Sequence, residues 1–138
     1  VLRRERSKPL VYPLSRRYRW GTIDMTVDEI LSATHGSLRC GDRYHSRELH
    51  YAFASDLMSD VLTVTEDGIL LITGLATIQT VRTATMADID TVLLVRGKRA
   101  PAGMVSLAEE NDMVIIESPF SMFRASGELF AGGLAAIF

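Results

Sequence analysis

Cysteine is nearly absent from this 138-residue sequence, which has one, together with three histidines and four prolines. Cys40 alone allows no intrachain disulfide and excludes zinc sites built on paired cysteines. His35, His45 and His50 lack metal spacing on one helix, so they read as surface or satisfied histidines. No apolar run approaches the ~20 residues of a membrane span, and the N-terminal arginines are not followed by the apolar stretch of a signal peptide. The Walker-type GxxxxGKS/T, the dinucleotide-binding GxGxxG and the nucleophile elbow GxSxG are all missing. These absences point to a cytoplasmic domain that uses no metal or cofactor. No nucleophile, base and orienting group can be assembled from spacing, so the reading is of a non-enzyme.

What is present describes a globular chain. Hydrophobic residues make up 47% and charged residues 23%, outside the profile of disorder, and the length suits one domain. The formal net charge of -2 hides an asymmetry. Residues 1–24 hold seven Lys or Arg against Glu5 and Asp24, about +5, which leaves the remainder near -7. A basic arm for nucleic acid or a membrane surface competes with a solvated tail or linker. The tail is preferred, because aromatic stacking repeats are lacking and the acidic remainder repels a phosphate backbone. Pro9 and Pro13 interrupt this segment, and the division falls between a basic tail, 1–24, and a folded domain, 25–138. A chain opening on Val1 fits either an unusual start or a piece of something longer.

Thr26 and Glu29 form a capping-box signature ahead of Val27, Ile30 and Leu31, with Gly36 as the helix stop. A short strand over Ser37 to Cys40, a polar loop over 41–46 and a strand from Leu49 to Ala54 follow. Ser55 and Asp56 then read as the cap of a short helix carrying Leu57, Met58, Val61 and Leu62. From Gly68 the pattern is regular. Apolar runs Ile69–Ile72, Val92–Val95 and Met113–Ile116 alternate with helices near 78–86, from Pro101 to about Asn111, and a last one carrying Phe120, Phe123, Leu129 and Phe130. Short strands apolar on both faces, alternating with helices, predict a three-layer α/β/α domain on a mostly parallel sheet.

In such a sheet ligands sit outside the carboxyl ends of the strands, where loops lead into helix N-termini. Those ends select Ser55 and Asp56, Thr73 and Gly74, Arg96 and Gly97, and Ser118, with Gln79 and Arg82 on the adjacent helix. The functional reading is a polar pocket with a hydroxyl and open backbone at Thr73-Gly74 and Arg82 or Arg96 facing a phosphate or carboxylate. The competing reading makes Ser55, Asp56 and Ser118 helix caps, Gly74 and Gly97 turn residues, and the arginines solvated.

The segments Met25-Thr26-Val27, Ala54-Ser55-Asp56-Leu57-Met58-Ser59-Asp60, Leu71-Ile72-Thr73-Gly74 and Pro119-Phe120-Ser121-Met122-Phe123 resemble the DRTGG domain family, over about residues 25–134. Leu75 stands where many members have a second glycine, and Asp42, Arg43 and Arg47 loosely match the pair preceding the second strand. The resemblance implies a fold similar to the N-terminal domain of HPr kinase/phosphorylase and of Mur ligases. Such domains occur beside CBS domains, in some family II pyrophosphatases, and in long phosphate acetyltransferases, between a P-loop domain and the catalytic one. It implies a non-catalytic accessory module, often at dimer contacts, that senses a ligand for its neighbours. The expected function is therefore a regulatory or ligand-sensing domain that dimerises and binds a small anionic metabolite or nucleotide. The rival is a purely structural module for a separate enzyme subunit.

Overall fold

The computed structural model describes residues 18–19 and 22–138, with side chains from Ile23 onward. Most of the segment read as a basic tail lies outside the described residues. Of its described part, Ile23 is buried, donates its backbone N–H to Gly133 O at 2.6 Å and packs on that glycine, whose φ is +106°.

In chain order the elements are β1 (Tyr18–Arg19), β2 (Thr22–Ile23), β3 (Met25–Thr26), α1 (Val27–Thr34), β4 (Ser37–Cys40), a 3-10 turn (Asp42–Tyr44), β5 (Glu48–Leu49), β6 (Tyr51–Ala54), α2 (Met58–Val61), β7 (Ile69–Thr73), α3 (Ile78–Met86), β8 (Thr91–Leu94), α4 (Ala102–Glu110), β9 (Val114–Glu117), α5 (Met122–Ala131) and β10 (Ala135–Ala136). Six strands form the main sheet in the order β10-β6-β7-β8-β9-β4. All neighbours are parallel except β4, which pairs antiparallel with β9 at one edge. This is the mostly parallel α/β sheet that the apolar runs require.

The side-chain period of two explains why those runs are apolar throughout. Leu70, Ile72, Leu93, Val95, Val114 and Ile116 face one layer, with Val27 and Ile30 of α1 and Ala125 and Leu129 of α5. Ile69, Leu71, Val92, Leu94 and Ile115 face the other, with Val61 of α2, Val81 and Ala84 of α3, and Met104 and Ala108 of α4. A strand buried on both faces is apolar along its middle, and its polar residues, Thr73 and Thr91, stand at the ends of β7 and β8.

The capping box forms as spelled: Glu29 N–H donates to Thr26 Oγ1 at 3.1 Å, and Thr26 N–H to Glu29 Oε1 at 2.9 Å. The left-handed residue ending α1 is His35, φ +52°, rather than Gly36. Gly36 is required for another reason, since a Cβ there would stand 2.6 Å from the Ile116 side chain. The strand expected over Leu49–Ala54 is divided: Glu48–Leu49 pairs antiparallel with Met25–Thr26, and Tyr51–Ala54 joins the main sheet. The last helix begins after Phe120, with Ser121 as its cap, and Phe120 is buried ahead of it.

Candidate functional site

Parallel register brings the candidate loops to one edge. Ala54 lies opposite Ile72, Thr73 opposite Leu94, and Leu94 opposite Glu117, so β6, β7, β8 and β9 end within a residue or two of one another. The loops that follow them hold Ser55-Asp56, Gly74, Arg96-Gly97 and Ser118.

Three of these residues form a compact polar cluster. Thr73, the last residue of β7, is buried and donates its hydroxyl to Asp56 Oδ1 at 2.8 Å. Gly74 N–H donates to the same oxygen at 2.7 Å, while Leu75 N–H donates to Thr73 Oγ1 at 3.1 Å. Thr80 Oγ1 ties the loop down by donating to Leu75 O at 2.7 Å. Two donors on one carboxylate oxygen make charge-assisted bonds, stronger than neutral ones. The Thr73 hydroxyl is buried and already spent on the Asp56 carboxylate, so it is not placed to attack a substrate.

Asp56 and Ser55 therefore do not cap α2 as expected. Leu57 is the N-cap residue of α2 and makes no side-chain cap bond; Ser55 Oγ accepts instead from Leu57 N–H at 3.0 Å. Asp56 turns away from its own helix because the adjacent strand presents a better set of donors. Gly74 has its φ outside the left-handed region, and a Cβ there would meet only the Asp56 carboxylate, at 3.6 and 3.7 Å, which is ordinary contact. Neither conformation nor crowding demands glycine; its bare Cα leaves the carboxylate room to lie over the loop.

The other candidates divide. Ser118 is buried, donates its hydroxyl to Thr34 O at 2.7 Å and accepts from Phe120 N–H at 3.0 Å. It is a structural tie between β9 and the end of α1. Arg96 and Gly97 take successive left-handed conformations, φ +61° and +69°. Such consecutive amides form an anion-binding nest when free, but here they donate to Phe120 O at 2.6 Å and Ser118 O at 2.9 Å. The Arg96 side chain is exposed, as is that of Arg82, and neither enters an ion pair with another described residue. Gln79 is exposed on α3 and donates to Thr83 Oγ1 at 3.4 Å. Thr77, which precedes α3, makes no side-chain cap bond.

Two features were not located by the sequence reading, although some of their residues were noted in it. An apolar groove of about 450 Å³ runs between β6, α5 and β10, its walls including Phe53, Ile72, Phe123, Phe130, Leu134 and Phe138. Its components are far apart in sequence, where only Phe123, Leu129 and Phe130 of the last helix stood out. At the opposite, N-terminal ends of the strands, Arg47 donates to Asp90 O at 2.9 Å and Asp112 O at 3.0 Å and lies 4.1 Å over the Tyr44 ring. Beside it, hydrogen bonds from the His45 ring to the Asp28 and Asp42 carboxylates hold its pKa above the ordinary value. Burial pushes the Cys40 thiol up, consistent with a small core side chain rather than a nucleophile. No three His, Cys, Asp or Glu among the described residues are grouped so as to hold a metal, and no helix there is long and apolar enough to cross a membrane.

No protein-family model matches the chain, and no curated protein matches it significantly. Among solved structures, the fold is similar to the CBS and DRTGG domains of the regulatory region of Clostridium perfringens pyrophosphatase, crystallised with its activator diadenosine tetraphosphate. The two superpose with a TM-score of 0.64 at 15% identity, over 79% of this chain and 47% of the other. The chain thus spans about half the length of that structure, and the likeness is one of fold.

Proposed function

We propose that this chain is a non-catalytic, ligand-sensing regulatory domain of the DRTGG type, binding a small anionic metabolite or nucleotide at the carboxyl ends of β6–β9. The observation that carries the reading is the pair of donors, Gly74 N–H and the Thr73 hydroxyl, converging on one carboxylate oxygen at that edge. Exposed Arg82 and Arg96 supply cationic partners, and the structural neighbour is a regulatory region that takes a nucleotide activator. The domain acts in the cytoplasm on an attached or separate enzyme, of the phosphate acetyltransferase kind by the resemblance, and dimerises through the α5 face.

Thermal-shift and calorimetric titration with diadenosine tetraphosphate, ATP and acetyl phosphate test this. A ligand that binds only the native state raises stability by ~2.7 kcal/mol at a hundredfold excess over its Kd. Arg82→Ala or Arg96→Ala should weaken that ligand by roughly 1.5–3 kcal/mol, the range for a charged hydrogen bond, with little effect on folding. Absence of any shift would favour the second reading, a purely structural module for an enzyme subunit, which the exposed Phe123, Phe130 and Phe138 recommend.

A further inference from the structure

We propose that Asp56 is a built-in plug of the strand-end site. Its carboxylate fills the place of a ligand's anionic oxygen, so that an anion binds at Thr73-Gly74 only by displacing it, and displacement frees the segment 56–62. The inference rests on the strand-end reading above and adds to it how the site is regulated.

The donors come from one loop and the acceptor from another, 17 residues away in sequence. They are arranged as they would be for a bound anion: a backbone N–H at 2.7 Å and a buried hydroxyl at 2.8 Å on a single oxygen, which lies over the open face of Gly74. The Thr73 oxygen also receives Leu75 N–H at 3.1 Å, a bond that holds it in place without Asp56 and leaves its O–H free to turn to a new acceptor. The cradle therefore persists when the carboxylate leaves, and an incoming phosphate oxygen would take over the same two bonds. The two cannot share it, because like charges at hydrogen-bond distance repel.

The plug is attached to a lightly held segment. The α2 helix has four residues, its N-cap Leu57 lacks a side-chain bond, and Leu57 and Leu62 are 58% and 48% exposed. Val61 is its one fully buried side chain, and beyond the Ser55 N–H, which donates to Ile72 O at 3.0 Å, the Asp56 carboxylate is the polar tie that holds the segment to β7. A tethered carboxylate competes at an effective concentration of order millimolar or above. A ligand that outcompetes it exchanges its binding for release of two exposed leucines, a change that a neighbouring domain can read.

The test titrates the whole chain with inorganic pyrophosphate and with diadenosine tetraphosphate, as wild type, Asp56→Ala and Asp56→Asn, and follows amide hydrogen exchange over 57–62. Asp56→Ala should bind pyrophosphate at least tenfold more tightly than wild type, and saturating wild type should speed exchange at the Leu57 and Leu62 amides. Asp56→Asn keeps the shape and removes the charge; it too gains affinity and decides the matter if the alanine variant does not fold. The plug is overturned if neither variant binds pyrophosphate more tightly than wild type, including the case in which none of the three binds it. If wild type binds diadenosine tetraphosphate and neither variant gains, ligand sensing stands and the plug falls. If the variants gain pyrophosphate while no nucleotide binds wild type, the plug stands and nucleotide sensing falls.

Discussion

The Ser118 hydroxyl donates to the Thr34 carbonyl at 2.7 Å across a separation of 84 residues and accepts the Phe120 N–H at 3.0 Å. One buried oxygen thus joins the end of β9 to the last turn of α1 and sets the turn into α5. Ser118→Ala strands a buried carbonyl and a buried N–H together, which costs about 1–3 kcal/mol. Urea titration should show that loss, while affinity for any strand-end ligand stays unchanged. A variant of wild-type stability with lost affinity would return Ser118 to the ligand site.

Ser118 also shows where sequence reading stops. Signals confined to a few residues were legible: the Thr26–Glu29 box closes as spelled, and the continuous apolar runs become β7, β8 and β9, buried on both faces. Asp56 was assigned to the helix just after it, the only partner visible locally, yet its donors belong to Thr73 and Gly74. Arg47, noted in the sequence only as a loose family match, ties two strand-start loops through backbone carbonyls 43 and 65 residues away, a role its neighbours in sequence do not show. The candidate edge was legible because parallel topology dictates it. Which of its residues stay open and which are spent on structure depended on long-range bonds that periodicity does not encode.

The two-sided burial of the central strands sets the cost of emptying them. Ile72 faces the α1–α5 layer and Val95 lies beside it, both buried. Either changed to Ala should lose roughly 2 kcal/mol or more by denaturant titration. A loss below half a kilocalorie would be incompatible with strands covered on both sides.

Gly68 and Gly97 share a left-handed backbone, φ +68° and +69°, and differ in their surroundings. A Cβ at Gly97 meets nothing within 4 Å, so Gly97→Ala costs only the conformational term, about 1–2 kcal/mol. A Cβ at Gly68 runs into the His50 ring, adding overpacking and bringing the loss to about 3 kcal/mol or more. Equal losses in the two variants would show that the His50 ring yields freely.

His45 gives a pH dependence of definite sign. Its ring lies 2.8 Å from Asp28 Oδ1 and 3.3 Å from Asp42 Oδ1, and those bonds raise its pKa above the ordinary imidazole value. A group whose folded pKa is raised stabilises fully below its unfolded pKa, and the contribution disappears as pH climbs through the folded one. Stability of wild type relative to His45→Gln should therefore be greatest in mild acid and converge on the variant in mild alkali. The site is exposed, so added salt should shrink the difference. A gap that widened with rising pH would mean that the neutral ring, not the cation, is the one stabilised.

Phe123, Phe130 and Phe138 are 89%, 70% and 84% exposed around the 450 Å³ groove, and Phe138 reaches back to the Phe53 ring at 5.8 Å. Large contiguous apolar patches are uncommon on monomers and commonly serve as contact surfaces, which is the role proposed above for this face. A two-fold pairing would let each copy cover the other's patch, because both present the same residues. Burying one such side chain contributes roughly 1.5–3 kcal/mol, and a symmetric contact counts each phenylalanine twice. Replacing Phe123 and Phe130 by Asp should therefore weaken association by at least about a thousandfold while hardly moving the melting temperature of the isolated fold, since neither side chain belongs to a core layer. Sedimentation velocity at tens of micromolar should find the wild type as a dimer and the double variant as a monomer. A wild type that sediments as a monomer up to high micromolar concentration would instead leave this face to a different protein.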